Sequence, residues 1–437
     1  MLSKRRRVLA LSGALLASFG GDFDHGSAEQ MGKNRSQSGI RSTQLDDEPA
    51  VTADVQDLVD ANATFAFELL DVLAAEAGHE NQFVSPLSIS NALAMMWAGA
   101  LGETEREMAD TLRFALEQTD LHPAFEDLLS ELDERSDRDV EGDPLELDIT
   151  NAIWGQEGYS FQEAYLDLIA NHYNAELQEL DFEGAPEDSR EQINAWVEER
   201  TGNRIDEILP EGAVDMRTVF VLTNAVYFRA GWRLPFNEDV TGDATFTALD
   251  GLTDEIPMMA QYGWFPYAEV DDHQLVELSY VGGASMLIIL PAEGRYEEFE
   301  RELDADQFST LVGELRGNEG AIRLPRFAVE SSFQLSDALS VLGMNTAFAE
   351  GDADFTGIVE DGELWIDEVY HDAFVTVDEE GTEATAATAI ADEDTAVPDP
   401  FEMTVDRPFL FAIRDDQTNA LLFLGRVVDI PSDPAES

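Results

Sequence analysis

The chain has 437 residues, with 25 Lys+Arg against 91 Asp+Glu and a formal net charge of −66 at pH 7. This balance excludes a nucleic-acid partner, which needs a basic footprint. The absence of cysteine excludes disulfides, thiolate nucleophiles and cysteine-based zinc sites.

The N-terminus reads as a targeting segment. Lys4-Arg5-Arg6-Arg7 precedes an apolar run from Val8 to about Phe19, too short to span a bilayer. Arg5-Arg6-x-Val8-Leu9 is similar to a twin-arginine export signal. We expect a signal peptide over residues 1–20, a flexible polar linker over 21–52 and one domain over 53–437, secreted to the cell exterior and monomeric, with no stable membrane insertion. Lysine occurs only at Lys4 and Lys33, and the acids are scattered through apolar segments rather than gathered in a block. Molar salt shortens the Debye length to about 3 Å, so this pattern fits a salt-adapted protein better than one with a cationic partner.

Order begins near Val55. Phe65, Leu69, Val72 and Leu73 recur at helical spacing, and Ser88 to Ala100 forms a second apolar helix. From about residue 102 to 210 the pattern stays mainly helical, broken by an acidic loop from Ser136 to Asp143. Val219–Leu222 with Val226–Phe228 reads as a strand, as do Gln274–Tyr280 and Met286–Leu290. A helix-rich first half and a strand-rich second half, with no repeat, give an α+β class.

Chemistry is sparse. There is no GxSxG elbow, GxxxxGK, GxGxxG or HExxH, and the six histidines (His25, His79, His122, His172, His273 and His371) show no metal-ligand spacing. No enzymatic activity and no cofactor are expected. Asp137, Asp139, Glu141, Gly142 and Asp148 approximate a calcium loop, but Pro144 and the short Asp148 depart from it, and so acidic a chain yields such matches by chance.

The informative segment runs Asp378-Glu379-Glu380-Gly381-Thr382-Glu383-Ala384-Thr385-Ala386-Ala387-Thr388-Ala389. Its composition alone allows an alanine-rich helix or a linker. It also resembles the reactive-loop hinge of the serpin family, and other segments agree with that in order. They include Asn81 to Ile89 with Ala92-Leu93-Ala94-Met95, Thr223-Asn224-Ala225-Val226-Tyr227-Phe228 with Gly231-Trp232, Leu324-Pro325-Arg326-Phe327, and Arg407-Pro408-Phe409-Leu410-Phe411. The resemblance covers about residues 55–430.

It implies a serpin fold: a helix-rich N-terminal half, a large central mixed β-sheet, smaller sheets and an exposed reactive loop. It further implies an inhibitor of serine proteases that is cleaved in the loop, is held as an acyl-enzyme and inserts its hinge (Glu379 to Thr388) into the central sheet. The family's usual loop length, counted from Gly381, implies a reactive bond at Thr395–Ala396, within one residue, suited to an elastase-like or subtilisin-like target. The inserting strand would bury Thr382, Ala384, Ala386, Thr388 and Ile390, with Asp392 and Asp394 also facing inward near its far end. Ser85, Ser88, Asn224 and His371 match the family's shutter, and Trp232 its breach. Asp372 stands where the family usually has lysine. The alternative within the family is a non-inhibitory binding or chaperone-like protein.

Overall fold

The computed structural model describes residues 51–136, 145–175, 177–201, 204–205, 207–360, 364–382 and 400–431. Helix α1 (Ala53–Ala77) starts at Thr52, whose hydroxyl accepts the Val55 N–H, and stops at Gly78, where φ is +59°. Its Leu58, Phe65, Leu69 and Leu73 are buried at helical spacing. After the short strand β1 (Gln82–Val84), helix α2 (Pro86–Trp97) is buried at every position. It is therefore the central helix of the core, not a surface amphipath.

Helices α3 (Gly102–Thr111) and α4 (Gln118–Ser136) follow. Then comes a departure from the mainly helical reading of this stretch: strand β2 (Glu146–Gln156) and, after α5 (Glu163–Tyr173), strand β3 (Leu177–Leu180). Asn151 and Gly155 interrupt the apolar alternation of Leu147, Ile149 and Ile153 in β2, which rests on sheet neighbours and not on its own propensity. Helix α6 (Pro186–Arg200) leads to β4 (Phe220–Gly231), the strand expected there, which runs on to Gly231.

The strand-rich half holds β5 (Gly242–Thr247), β6 (Thr253–Val270), β7 (His273–Ser279), β8 (Ala284–Leu290), α7 (Tyr296–Glu302), α8 (Ala305–Gly313), β9 (Arg316–Pro325), β10 (Phe327–Gln334) and α9 (Ser336–Leu342). It ends with β11 (Val369–Val377), β12 (Gly381–Thr382), β13 (Phe401–Thr404), β14 (Phe409–Asp415) and β15 (Leu421–Val427).

Two sheets result. The mixed sheet runs β10-β11-β4-β2-β3, with β12 also on β4. The smaller sheets that the resemblance implies are joined through the eighteen residues of β6 into a single nine-stranded sheet. The main core lies between them around α1 and α2, and includes Leu222, Val226 and Phe228 from one face of β4. On the other face of the mixed sheet, Ile193 and Val197 of α6 pack with Trp154, Val221, Ala225 and Tyr370. Alternate residues of β4 thus serve two separate cores, as a pleated strand requires.

Candidate functional site

Strands β4 and β11 are parallel neighbours, and their ladder registers five pairs, from Leu222–Val369 to Val226–Ala373. Both strands run on beyond that point. On their far sides, β4 stays paired with β2 as far as Arg229–Glu146, and β11 with β10 as far as Val377–Phe327. After Val377 the chain reverses in a tight turn: the Asp378 carboxylate accepts the N–H groups of Glu380 (2.9 Å) and Gly381 (3.2 Å). Gly381 and Thr382 then run back antiparallel to β4, opposite Gly231 and Ala230. The turn requires glycine, because Gly381 has φ +154° and a Cβ there would lie 2.3 Å from the Ala230 carbonyl oxygen.

Four of the five residues matched to the shutter and breach meet in the middle of that five-pair ladder. The Ser85 N–H donates to His371 Nε2 at 3.1 Å, which leaves the proton on Nδ1 to be donated to Asn224 Oδ1 at 2.5 Å. Asn224 Nδ2 in turn reaches the Ser88 carbonyl (2.9 Å) and hydroxyl (2.5 Å), and also Asn151 Oδ1. Ser85 Oγ donates to the Leu422 carbonyl at 2.8 Å and caps α2 by accepting the Ser88 N–H. Burial holds the His371 pKa down to about 3, so the ring is neutral and suited to one donor and one acceptor contact. Asn224 and His371 are paired residues of β4 and β11, so one hydrogen bond and one imidazole bridge the two strands and tie both to the N-terminus of α2. Asn151 is the member of this group that sequence reasoning missed; a lone Asn in an unmarked strand carries no signal.

Trp232 lies at the other end of β4, at the turn. Its ring stacks on Tyr280 (4.3 Å between centroids), and its indole N–H donates to the Asp378 carbonyl at 2.9 Å. Its backbone N–H takes the Glu380 carbonyl, and that of Phe236 takes the Glu379 carbonyl. The Glu379 side chain is buried (3% exposed) against Arg326, which forks onto both carboxylate oxygens at 2.7 Å, and it also accepts the Thr241 hydroxyl. Burial pushes this carboxyl up, but the bonds from Arg326 and Thr241 outweigh it and leave it below the ordinary range. Arg326 belongs to a motif already noted, but nothing in the sequence pairs it with Glu379.

Of the expected hinge, Glu379, Glu380, Gly381 and Thr382 are thus placed. Glu383, Ala384, Thr385, Ala386, Ala387 and Thr388, with the bond Thr395–Ala396, lie outside the described residues, as do Asp137, Asp139, Glu141 and Gly142 of the calcium-like loop. Among the described residues no cluster of three or more His, Asp or Glu side chains could hold a metal, and no helix is long and apolar enough to cross a membrane.

Asp372 follows His371 on β11, opposite Ala225 of β4 and Ser332 of β10. Burial raises its pKa to about 7, despite a hydrogen bond from Ser332. Its folded pKa lies above the unfolded value near 3.8, so the folded state holds the extra proton, and the cost of the buried carboxylate grows from about pH 4 to pH 7. Asp372→Asn is expected to raise the unfolding midpoint at pH 8, by an amount equivalent to no more than about 4 kcal/mol. The gain should vanish by pH 4, and a gain independent of pH contradicts the assignment. At the turn, Glu379→Lys should lower the thermal midpoint more than Glu379→Gln does. The amide forfeits about 1–2 kcal/mol of a half-exposed ion pair, whereas lysine sets a second cation beside Arg326. Equal midpoints for the two variants would show that the pair carries no weight.

Comparison with known proteins places this arrangement. The family profile described as Serpin (serine protease inhibitor) matches residues 60–430. An uncharacterized serpin-like protein of Thermococcus kodakarensis is 39% identical over 376 residues, covering 85% of each chain. The leukocyte elastase inhibitor of Bos taurus is 37% identical over 384 residues, covering 85% of this chain and 99% of that one. Among solved structures, uncleaved ovalbumin matches with a TM-score of 0.76 at 26% identity, over 85% of this chain and 100% of the other. Thyroxine-binding globulin in complex with thyroxine matches with a TM-score of 0.75 at 27% identity, over 85% and 99%. By profile, relatives and fold alike, the chain belongs to the serpin family.

Proposed function

We propose that this serpin is a suicide inhibitor of serine proteases, of the elastase-like or subtilisin-like kind, that acts as a monomer outside the cell after twin-arginine export. The observation that carries the reading is the start of β12 on β4 above a short β4–β11 ladder: the hinge already points down the line along which a new strand would run.

Continuing that antiparallel register sets Ala384 opposite Phe228, Ala386 opposite Val226, Thr388 opposite Asn224 and Ile390 opposite Leu222. Phe228, Val226 and Leu222 face the main core, so the small or apolar even-numbered residues would be the buried ones. Glu383 would fall opposite Arg229 on the other face, an acid beside a base. Past Val226 the strand can advance only if the five β4–β11 pairs separate, and with them the Asn224–His371 bridge. The bridge then acts as the gate, and its neutral histidine can part from asparagine without leaving a buried charge behind.

The chemistry balances as follows. The protease serine Oγ attacks the Thr395 carbonyl carbon, the C–N bond to Ala396 breaks and the Ala396 amine leaves with a proton. Thr395 then stays esterified to the enzyme. Insertion of the freed hinge competes with hydrolysis of that ester by water. Each ladder hydrogen bond contributes about 0.5–1.5 kcal/mol net, so about a dozen bonds plus apolar burial supply on the order of ten kcal/mol. The name of the bovine relative, an elastase inhibitor, supports the same class of target.

In molar salt, incubation with an elastase-like or subtilisin-like protease should give an SDS-resistant band at the summed mass and a new C-terminal fragment starting at Ala396. Thr388→Arg, on the core-facing side, should raise the stoichiometry of inhibition at least tenfold by letting the ester hydrolyse, while Ala387→Arg on the other face changes it little. Clean cleavage with no covalent complex from any protease that cuts the loop would instead favour a non-inhibitory binding protein.

A further inference from the structure

The outer face of the nine-stranded sheet carries a pair of aromatics that the account so far does not use. Tyr262 and Trp264 sit two residues apart on β6, on one face, and are 59% and 62% exposed. Among the described residues they are the only large aromatics so exposed, on a chain whose surface is otherwise dominated by acids. Exposed aromatics grouped this way mark contact surfaces.

Both rings are held in place. Trp264 lies over Gly317 of β9, where a Cβ would come within 2.5 Å of its indole nitrogen. Tyr262 hydrogen-bonds Glu319 through its hydroxyl. Such fixed, amphipathic rings lose little entropy on binding.

Their position relates them to the reactive loop. The chain re-enters the described structure at Pro400 and joins the sheet at Phe401, which pairs with Gly320 of β9; Gly320 pairs in turn with Gly263. Across two strand spacings, about 10 Å, the row from Phe401 therefore leads to the residue between Tyr262 and Trp264. The next row joins Glu402, Ala321 and Tyr262 on the exposed face. Phe401 lies five chain steps beyond Ala396, a reach of at most about 17 Å. A protease of roughly 230 residues has a radius of gyration of about 17 Å, so an enzyme engaged at Thr395–Ala396 stands close enough to overlap this patch.

We infer that Tyr262 and Trp264 form a secondary docking surface for the target protease, received by an apolar and basic rim beside its active-site cleft. The basic character follows from Glu319 and Glu402, which flank the rings. This inference rests on the proposed loop-directed function and adds to it what aligns the enzyme on the loop. The surface raises the rate at which the loop is engaged and leaves the fate of the ester unchanged.

The test measures that rate for the full-length protein, Tyr262→Ala, Trp264→Ala and the double variant, with Val341→Ala as a control for loss of an exposed apolar side chain elsewhere. The proteases used are subtilisin and pancreatic elastase. A fall of about tenfold or more in the second-order rate for the double variant, with thermal midpoint and stoichiometry unchanged and partial recovery in Trp264→Tyr, supports the inference. If covalent complexes form at the same rate in all variants with both proteases, the docking surface is overturned while the inhibitory reading stands. If the loop is only cleaved, the inhibitory reading fails, and kcat/KM for loop cleavage decides the surface by the same comparison. Sedimentation of each variant is the last arm: a wild-type dimer abolished by the double variant assigns the face to a second copy of this chain and overturns the protease assignment.

Discussion

The structure turns on a ladder that is too short for its strands. Parallel strands β4 and β11 share five pairs and then continue side by side toward Trp232 and the Asp378 turn, where β12 begins its return along β4. Under the proposed mechanism the sheet has an alternative with more hydrogen bonds, reached by admitting one more strand, and the cost of parting those five pairs separates the two states. That cost is concentrated at Asn224–His371, where each β strand is tied to the other and both are tied to Ser85 and Ser88 at the head of α2. Because α2 is buried along its whole length, the gate is anchored in the middle of the core.

The polar groups around this ladder answer to different demands. His371 is buried without charge and satisfied on both nitrogens, so it adds specificity without an ion to desolvate. Glu379 is buried as a charge, held by the Arg326 fork, and fixes where the turn sits on β4. Asp372 is neither paired with a cation nor fully solvated, and it departs from the lysine expected there. In a chain with two lysines and 91 acids, burial makes this carboxylate costly to ionise where it stands.

Much of this was legible from residues alone, for particular reasons. The Ala/Thr run stood out by its composition but beyond Thr382 lies outside the described residues; α1 was legible from its apolar spacing and α2 from its apolar content. The strands β2 and β3 were not legible, since their residues gain strand character only from neighbours far away in sequence. The contacts Asn151–Asn224, Glu379–Arg326 and Trp232–Tyr280 join segments that no local period connects, so the members were visible and their pairing was not. The aromatic pair on β6 is a further case: alternation marks Tyr262 and Trp264 as one face, but only the register with β9 and β13 relates that face to the loop.

The claim beneath all of this is that the intact chain stores free energy in an unfilled sheet. Thermal unfolding of the intact protein and of the same protein cut once in its loop tests it most directly, with both fragments retained and the salt held constant. The account predicts that the cut form unfolds well above the intact form, with slower amide exchange over Tyr227 to Gly231, because a strand has entered between β4 and β11. A cut form that unfolds at or below the intact midpoint would mean that no strand enters and that the sheet holds no such reserve.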